Sequence, residues 1–153
     1  MKNLVNETIT FVSKTLPEIY SCLYLDYLKV YSPNHNVNKT QLRALIFIKN
    51  NGPKSMTELC LKLNIEKGSL TSMIDDLSDK GYVVRERDLN DRRKYLINLT
   101  EKGNEIAAEC IDKLTNGLDE KLVKLSEEDR SDYLNAIIKI QEIMEKNKDI
   151  FKL

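Results

Sequence analysis

Apolar residues recur at helical spacing along most of this 153-residue chain, with strand-like runs in one place only. Val5, Ile9, Val12 and Leu16 form a first stripe. Pro17 then predicts a kink or a fresh start, with the proline in the first turn of the next helical segment, because its ring removes a backbone donor. Ile19, Leu23, Leu25, Tyr27, Leu28 and Val30 extend a long apolar helix that SPNHN, Ser32 to Asn36, interrupts. Asn38 and Gln41 have the spacing of a capping box and predict a helix from about Lys39, with Leu42, Leu45, Ile46 and Ile48 inside. Asn51-Gly52-Pro53 ends it. Ser55 and Glu58 make a second box, opening a short helix through Leu63 with Asn64 as a left-handed cap. A further helix spans about Lys67 to Lys80, with Leu70, Met73, Ile74 and Leu77 on one face.

Between Gly81 and Gly103 the pattern changes. Tyr82, Val83 and Val84 begin one β-rich run and Tyr95 to Leu99 form another, around a polar tip from Asp88 to Lys94. Thr100 then caps a helix from Glu101 to about Asn116, whose apolar side is Ile106, Ala107, Cys110, Ile111 and Leu114. Leu118, Leu122 and Leu125 carry the pattern across Gly117, and Ser126 caps a last helix. There Leu134, Ile137, Ile138, Ile140, Ile143 and Met144 cover too wide an arc for one neighbour. This predicts a mainly α chain with a small β-wing. A winged helix-turn-helix over 37–100 is flanked by dimerisation helices at 1–36 and 101–153.

Small and hydroxylated residues, Gly68, Ser69, Thr71 and Ser72, crowd the first turns of the helix before the hairpin, beside Lys67. Helices in this position read base edges with their N-terminal residues, and short side chains admit the DNA backbone. The bland alternative is a solvated helix face. Asp75 and Asp76 follow on the same helix and would oppose phosphate if left bare, so a winged helix that binds protein instead of DNA stays open. The hairpin tip carries Arg92, Arg93 and Lys94, with Arg87 behind them, suited to phosphate or a narrow minor groove.

Charge narrows the choice. Twenty-four basic and 24 acidic side chains cancel, so any attraction to an anion must come from a local patch. The segments 1–52, 53–103 and 104–153 hold six and three, ten and nine, and eight and twelve basic and acidic residues, which leaves the C-terminal end acidic. No apolar run reaches the roughly 18 residues of a membrane span, and a cytosolic protein without a signal peptide is expected. Cys22, Cys60 and Cys110 lack metal or redox spacing and read as reduced thiols. The single histidine, His35, has no partner at ligand spacing, so no metal and no cofactor are expected. With one histidine and no nucleophile or phosphate-loop motif, an enzyme is disfavoured.

Three features taken together resemble the MarR family, the multiple-antibiotic-resistance regulators: MTELCLKLNIEKGSLTSMIDDLSDKGYV, the spacing to RERDLNDRR, and the ending INLTEKG. The resemblance implies a homodimer on a near-palindromic double-stranded operator, with a repressor as the expectation. It makes Lys67, Gly68, Ser69, Thr71 and Ser72 recognition-helix positions. Arg93 becomes the minor-groove arginine, held by Asp91, and Arg85 a supporting arginine at the wing base. Family members commonly respond to phenolic or other aromatic ligands between the dimer helices and the DNA-reading lobes. Tyr20, Tyr24, Tyr27 and Tyr31 either line such a cleft or pack an interface, the latter preferred. One branch of the family senses peroxide through a first-helix cysteine. Cys22 lies in the corresponding helix, but a buried, inert thiol is the preferred reading.

Overall fold

Two capping boxes set the frame of the DNA-reading half. In the computed structural model, which describes residues 1–31, 36–88, 91 and 94–151, both form as their sequences dictate. Asn38 Oδ1 accepts from the backbone of Thr40 and Gln41 while Gln41 Oε1 accepts from Asn38 N at 2.8 Å, starting α4 (Lys39–Asn51). Ser55 and Glu58 close the same reciprocal pair and start α5 (Met56–Leu63). Hydrogen bonding to Ser55 holds the Glu58 carboxyl below its ordinary value, which keeps the cap acceptor charged. Asn64 ends α5 in the left-handed region, φ 54°, a conformation its short polar side chain tolerates. The turn leads directly into α6 (Lys67–Asp79).

Ahead of this module the chain is helical from Lys2 to Tyr31. It runs through α1 (Lys2–Thr10), α2 (Leu16–Tyr20) and α3 (Asp26–Tyr31), separated by π turns at Phe11–Thr15 and Ser21–Leu25. Pro17 does sit in the first turn of a resumed helix, but no break precedes it. The wide turn at Phe11–Thr15 makes room for the proline ring and its missing donor. His35 and the rest of 32–35 lie outside the described residues.

A hairpin of β2 (Val83–Arg87) and β3 (Tyr95–Leu99) follows α6, in antiparallel register from Val83↔Leu99 to Arg87↔Tyr95. A third strand, β1 (Lys54–Ser55), pairs with the other edge of β3, giving the order β1-β3-β2. Two strands were expected. A two-residue strand has no periodicity to betray it, and it forms because the Gly52-Pro53 turn delivers Lys54 alongside Ile97. Leu28, Leu42, Leu45, Ile48, Leu59, Leu70, Ile74, Leu77 and Ile97 are the largest fully buried side chains, drawn from α3, α4, α5, α6 and β3.

The chain divides into two compact units, Met1–Thr115 and Asn116–Leu153. Helix α7 (Glu101–Leu122) runs unbroken past Gly117, further than the expected Asn116. Its first turn is pinned to the hairpin base. Thr100 Oγ1 donates to the Gly81 carbonyl at 2.6 Å and accepts from Gly103 N at 3.1 Å, while Thr100 N donates to the Tyr82 carbonyl at 3.1 Å. The second unit holds the end of α7, then α8 (Glu127–Lys146), capped by Ser126, and α9 (Lys148–Phe151). No residue of α8 or α9 is buried, and Leu134, Ile138, Ile140, Ile143, Ile150 and Phe151 are exposed. Among the described residues no helix is long and apolar enough to cross a membrane.

Candidate nucleic-acid interface

Helix α6 buries Leu70, Ile74 and Leu77 and leaves Lys67, Gly68, Ser69, Thr71 and Ser72 exposed, so its first two turns face outward with short side chains. Thr71 Oγ1 donates to the Lys67 carbonyl at 2.9 Å and Ser72 Oγ to the Gly68 carbonyl at 3.4 Å. Each hydroxyl proton is thereby used within the helix, and each oxygen keeps lone pairs for an outside donor such as a base amino group.

Asp75 and Asp76 do not stand bare. Arg85 Nη2, on β2, reaches Asp75 Oδ1 at 2.5 Å, an ion pair that joins the middle of α6 to the base of the wing. Asp76 accepts from Lys80 Nζ at 2.6 Å and from Gln41 Nε2 of α4. Lys80 first, then Gln41, draws the Asp76 carboxyl below its ordinary value, so it stays ionised and paired. The repulsion of phosphate feared from the sequence is met by two intramolecular cations, Arg85 and Lys80.

At the far end of the hairpin, the Arg87 guanidinium lies 6.0 Å from the Tyr95 ring centroid, its cross-strand neighbour. Tyr95 is half exposed; its sequence marks it only as the start of the second strand, because the register that sets it across from Arg87 leaves no local trace. The tip closes by Asp88 N donating to the Lys94 carbonyl at 3.0 Å and Lys94 N to the Asp91 carbonyl at 2.8 Å. Asp91 Oδ2 lies 3.6 Å from Lys94 Nζ. Arg92 and Arg93, and with them the expected Asp91–Arg93 pair, lie outside the described residues.

The tyrosines part company. Tyr20 and Tyr24 pack against each other with ring centroids 5.3 Å apart, and Arg43 lies 6.0 Å from the Tyr20 ring. Burial, then Tyr20, pushes the Tyr24 hydroxyl up to about 12. Tyr27 instead lines a cavity of about 240 Å³ with Val30, Tyr31, Cys110, Lys113 and Leu114. Lys113 Nζ sits 5.2 Å from the Tyr31 ring centroid, and burial pushes the Cys110 thiol up to about 11, so it remains a neutral thiol. Lys113 carried no signal in the sequence, because nothing local says that it meets Tyr31. Cys22 is exposed rather than buried. It lies in the second π turn, and the extra residue of each π turn shifts the side chains away from 3.6-residue spacing. Cys110 is buried as expected, while Cys60 is only half-buried.

A MarR family model matches residues 35–94, the segment that holds α4, α5, α6 and the first strand of the hairpin, β2. HTH-type transcriptional regulator SarZ of Staphylococcus aureus (strain USA300) is 30% identical over 114 residues, 74% of this chain and 73% of the relative. HTH-type transcriptional regulator YkoM of Bacillus subtilis (strain 168), itself uncharacterized, is 35% identical over 74 residues. That match spans 48% of each chain, so this chain covers about half the length of that relative. The structure of a MarR family protein from Bacillus stearothermophilus superposes with a TM-score of 0.75 at 25% identity, covering 91% of this chain and 96% of the other.

Proposed function

Because this chain belongs to the MarR family of HTH-type transcriptional regulators, we propose that it binds a near-palindromic operator as a homodimer and represses from it. The observation that carries this reading is the outward face of α6. Its first turns are short and hydroxylated, Asp75 and Asp76 are already paired, and the wing strand that carries Arg85 and Arg87 stands beside it. That combination suits a major groove for the helix and an adjacent minor groove for the tip. The dimer is supported by the exposed apolar residues of α8, which find no cover in their own unit.

An electrophoretic shift with the DNA upstream of the gene tests the reading, with Arg93→Ala beside the wild type. The variant is expected to bind more weakly. Its salt dependence should also flatten by roughly one counterion per lost contact in each subunit. Identical affinity and slope in the two proteins would reject the wing as a DNA contact.

A second reading concerns release of the operator by a small aromatic acid. The cavity beside Tyr27 favours it, since an apolar wall with the Lys113 ammonium at its edge suits a carboxylated ring. Calorimetric titration with 4-hydroxybenzoate should show binding that Lys113→Met abolishes; equal binding by both proteins would remove Lys113 from the reading.

A further inference from the structure

The geometry points to Gln41 as a positioning residue for DNA binding, one that fixes the orientation of α6 without touching DNA. This inference rests on the operator reading above.

Gln41 is 4% exposed and is the one buried polar side chain among the described residues. A buried amide must satisfy both of its ends. The carbonyl end is spent locally, accepting from Asn38 N to start α4. The amino end is spent at a distance, donating to Asp76 Oδ2 across 35 residues of sequence. A capping box needs only the carbonyl. Glutamate does that part of the work at the second box, where Glu58 caps α5. What glutamine adds over glutamate is the donor aimed at α6.

The place it reaches matters. Asp76 lies next to Asp75, which holds Arg85 of the wing, so the two neighbouring carboxylates hold α6 to two different bodies. One is the start of α4 and the other is the wing strand. The angle between the reading helix and the wing is what a two-groove site must match, because a small misplacement lowers affinity without removing any contact.

The test is a charge swap. Gln41→Glu keeps the acceptor for Asn38 N but leaves two carboxylates facing each other. Operator affinity should fall at least about tenfold. The slope of affinity against salt should stay at the wild-type value, because no phosphate contact has gone. Adding Asp76→Asn to Gln41→Glu supplies a donor from the other side, and affinity should return to within about threefold of wild type. A single variant that binds like wild type, or a double variant as weak as the single, overturns the proposal.

A readout without DNA stands beside it. Asp76→Ala removes the acceptor of Gln41 together with the Lys80 ion pair, so Lys80→Met is its control. Amide exchange over 67–79 should quicken by roughly tenfold in Asp76→Ala and by less than about threefold in Lys80→Met, while global melting moves little. Unchanged exchange in Asp76→Ala, or equal quickening in the two variants, also overturns the proposal, even if Gln41→Glu does not fold. Wild-type protein that shifts no DNA would instead sink the operator reading, and the exchange result would still decide the role of Gln41.

Discussion

Gly103→Ala should destabilise the protein by about 3 kcal/mol or more, the largest stability effect expected of a one-carbon change in this chain. A Cβ at Gly103 would lie 1.9 Å from the carbonyl oxygen of Tyr82 and 2.8 Å from its carbonyl carbon. Both are backbone atoms, so no side chain can swing aside. Nor can the backbone retreat cheaply. The Tyr82 carbonyl accepts from Thr100 N, Tyr82 N donates to the Leu77 carbonyl at 2.9 Å, and the Tyr82 ring is buried. Moving it would disturb the junction of α6, the hairpin and α7 together. Helix propensity alone would favour alanine over glycine, by roughly 1 kcal/mol, so the sign of the effect decides the matter. Thermal unfolding followed by circular dichroism should show a midpoint lower by roughly 6–12 °C. A midpoint equal to or above that of wild type would contradict the close packing of α7 on Tyr82.

Ile138→Glu should have the largest effect on assembly. Ile138 is 43% exposed within its own chain and Leu134, one turn earlier on α8, is 56% exposed. A helix of 20 residues with nothing buried gains little to offset the roughly 1–2 kcal/mol of backbone entropy each ordered residue costs. In the proposed dimer a second copy would cover this face and supply the missing burial. A carboxylate placed there would then have to be desolvated without a partner. The dimer dissociation constant should rise by roughly a hundredfold or more, within the range of interface hot spots. Sedimentation at micromolar protein should move toward a single chain of 17.7 kDa. Operator affinity should fall with it, because half-sites bound separately lose the gain from linkage. An unaltered dimer would remove α8 from the interface.

Local chemistry made much of this fold legible in the sequence. Both capping boxes, the left-handed Asn64 and the buried face of α6 depend on residues within four positions of one another, and each forms as its pattern says. The LT-x-K-G run also has a physical basis: Thr100 ties α7 to the hairpin, and Gly103 is the residue small enough to follow it there. What escaped was either too short or too distant. The pairing of Lys54–Ser55 with β3 leaves no periodic trace. The exposure of Cys22 follows from two π turns that a uniform helical repeat does not anticipate. The pairing of Asp75 with Arg85 and of Asp76 with Gln41 needs tertiary structure to bring the partners together, so a sequence reading sees two bare negative charges. Lys113 beside Tyr31 is hidden for the same reason.

The central claim is that two copies of this chain hold one duplex through α6 and the wing. Sedimentation velocity of the wild-type protein with a labelled duplex from upstream of its gene, at two salt concentrations, tests it most directly. The account predicts a complex of two chains per duplex whose affinity drops steeply as salt rises. A single chain on the duplex, or no complex at either salt, would contradict it.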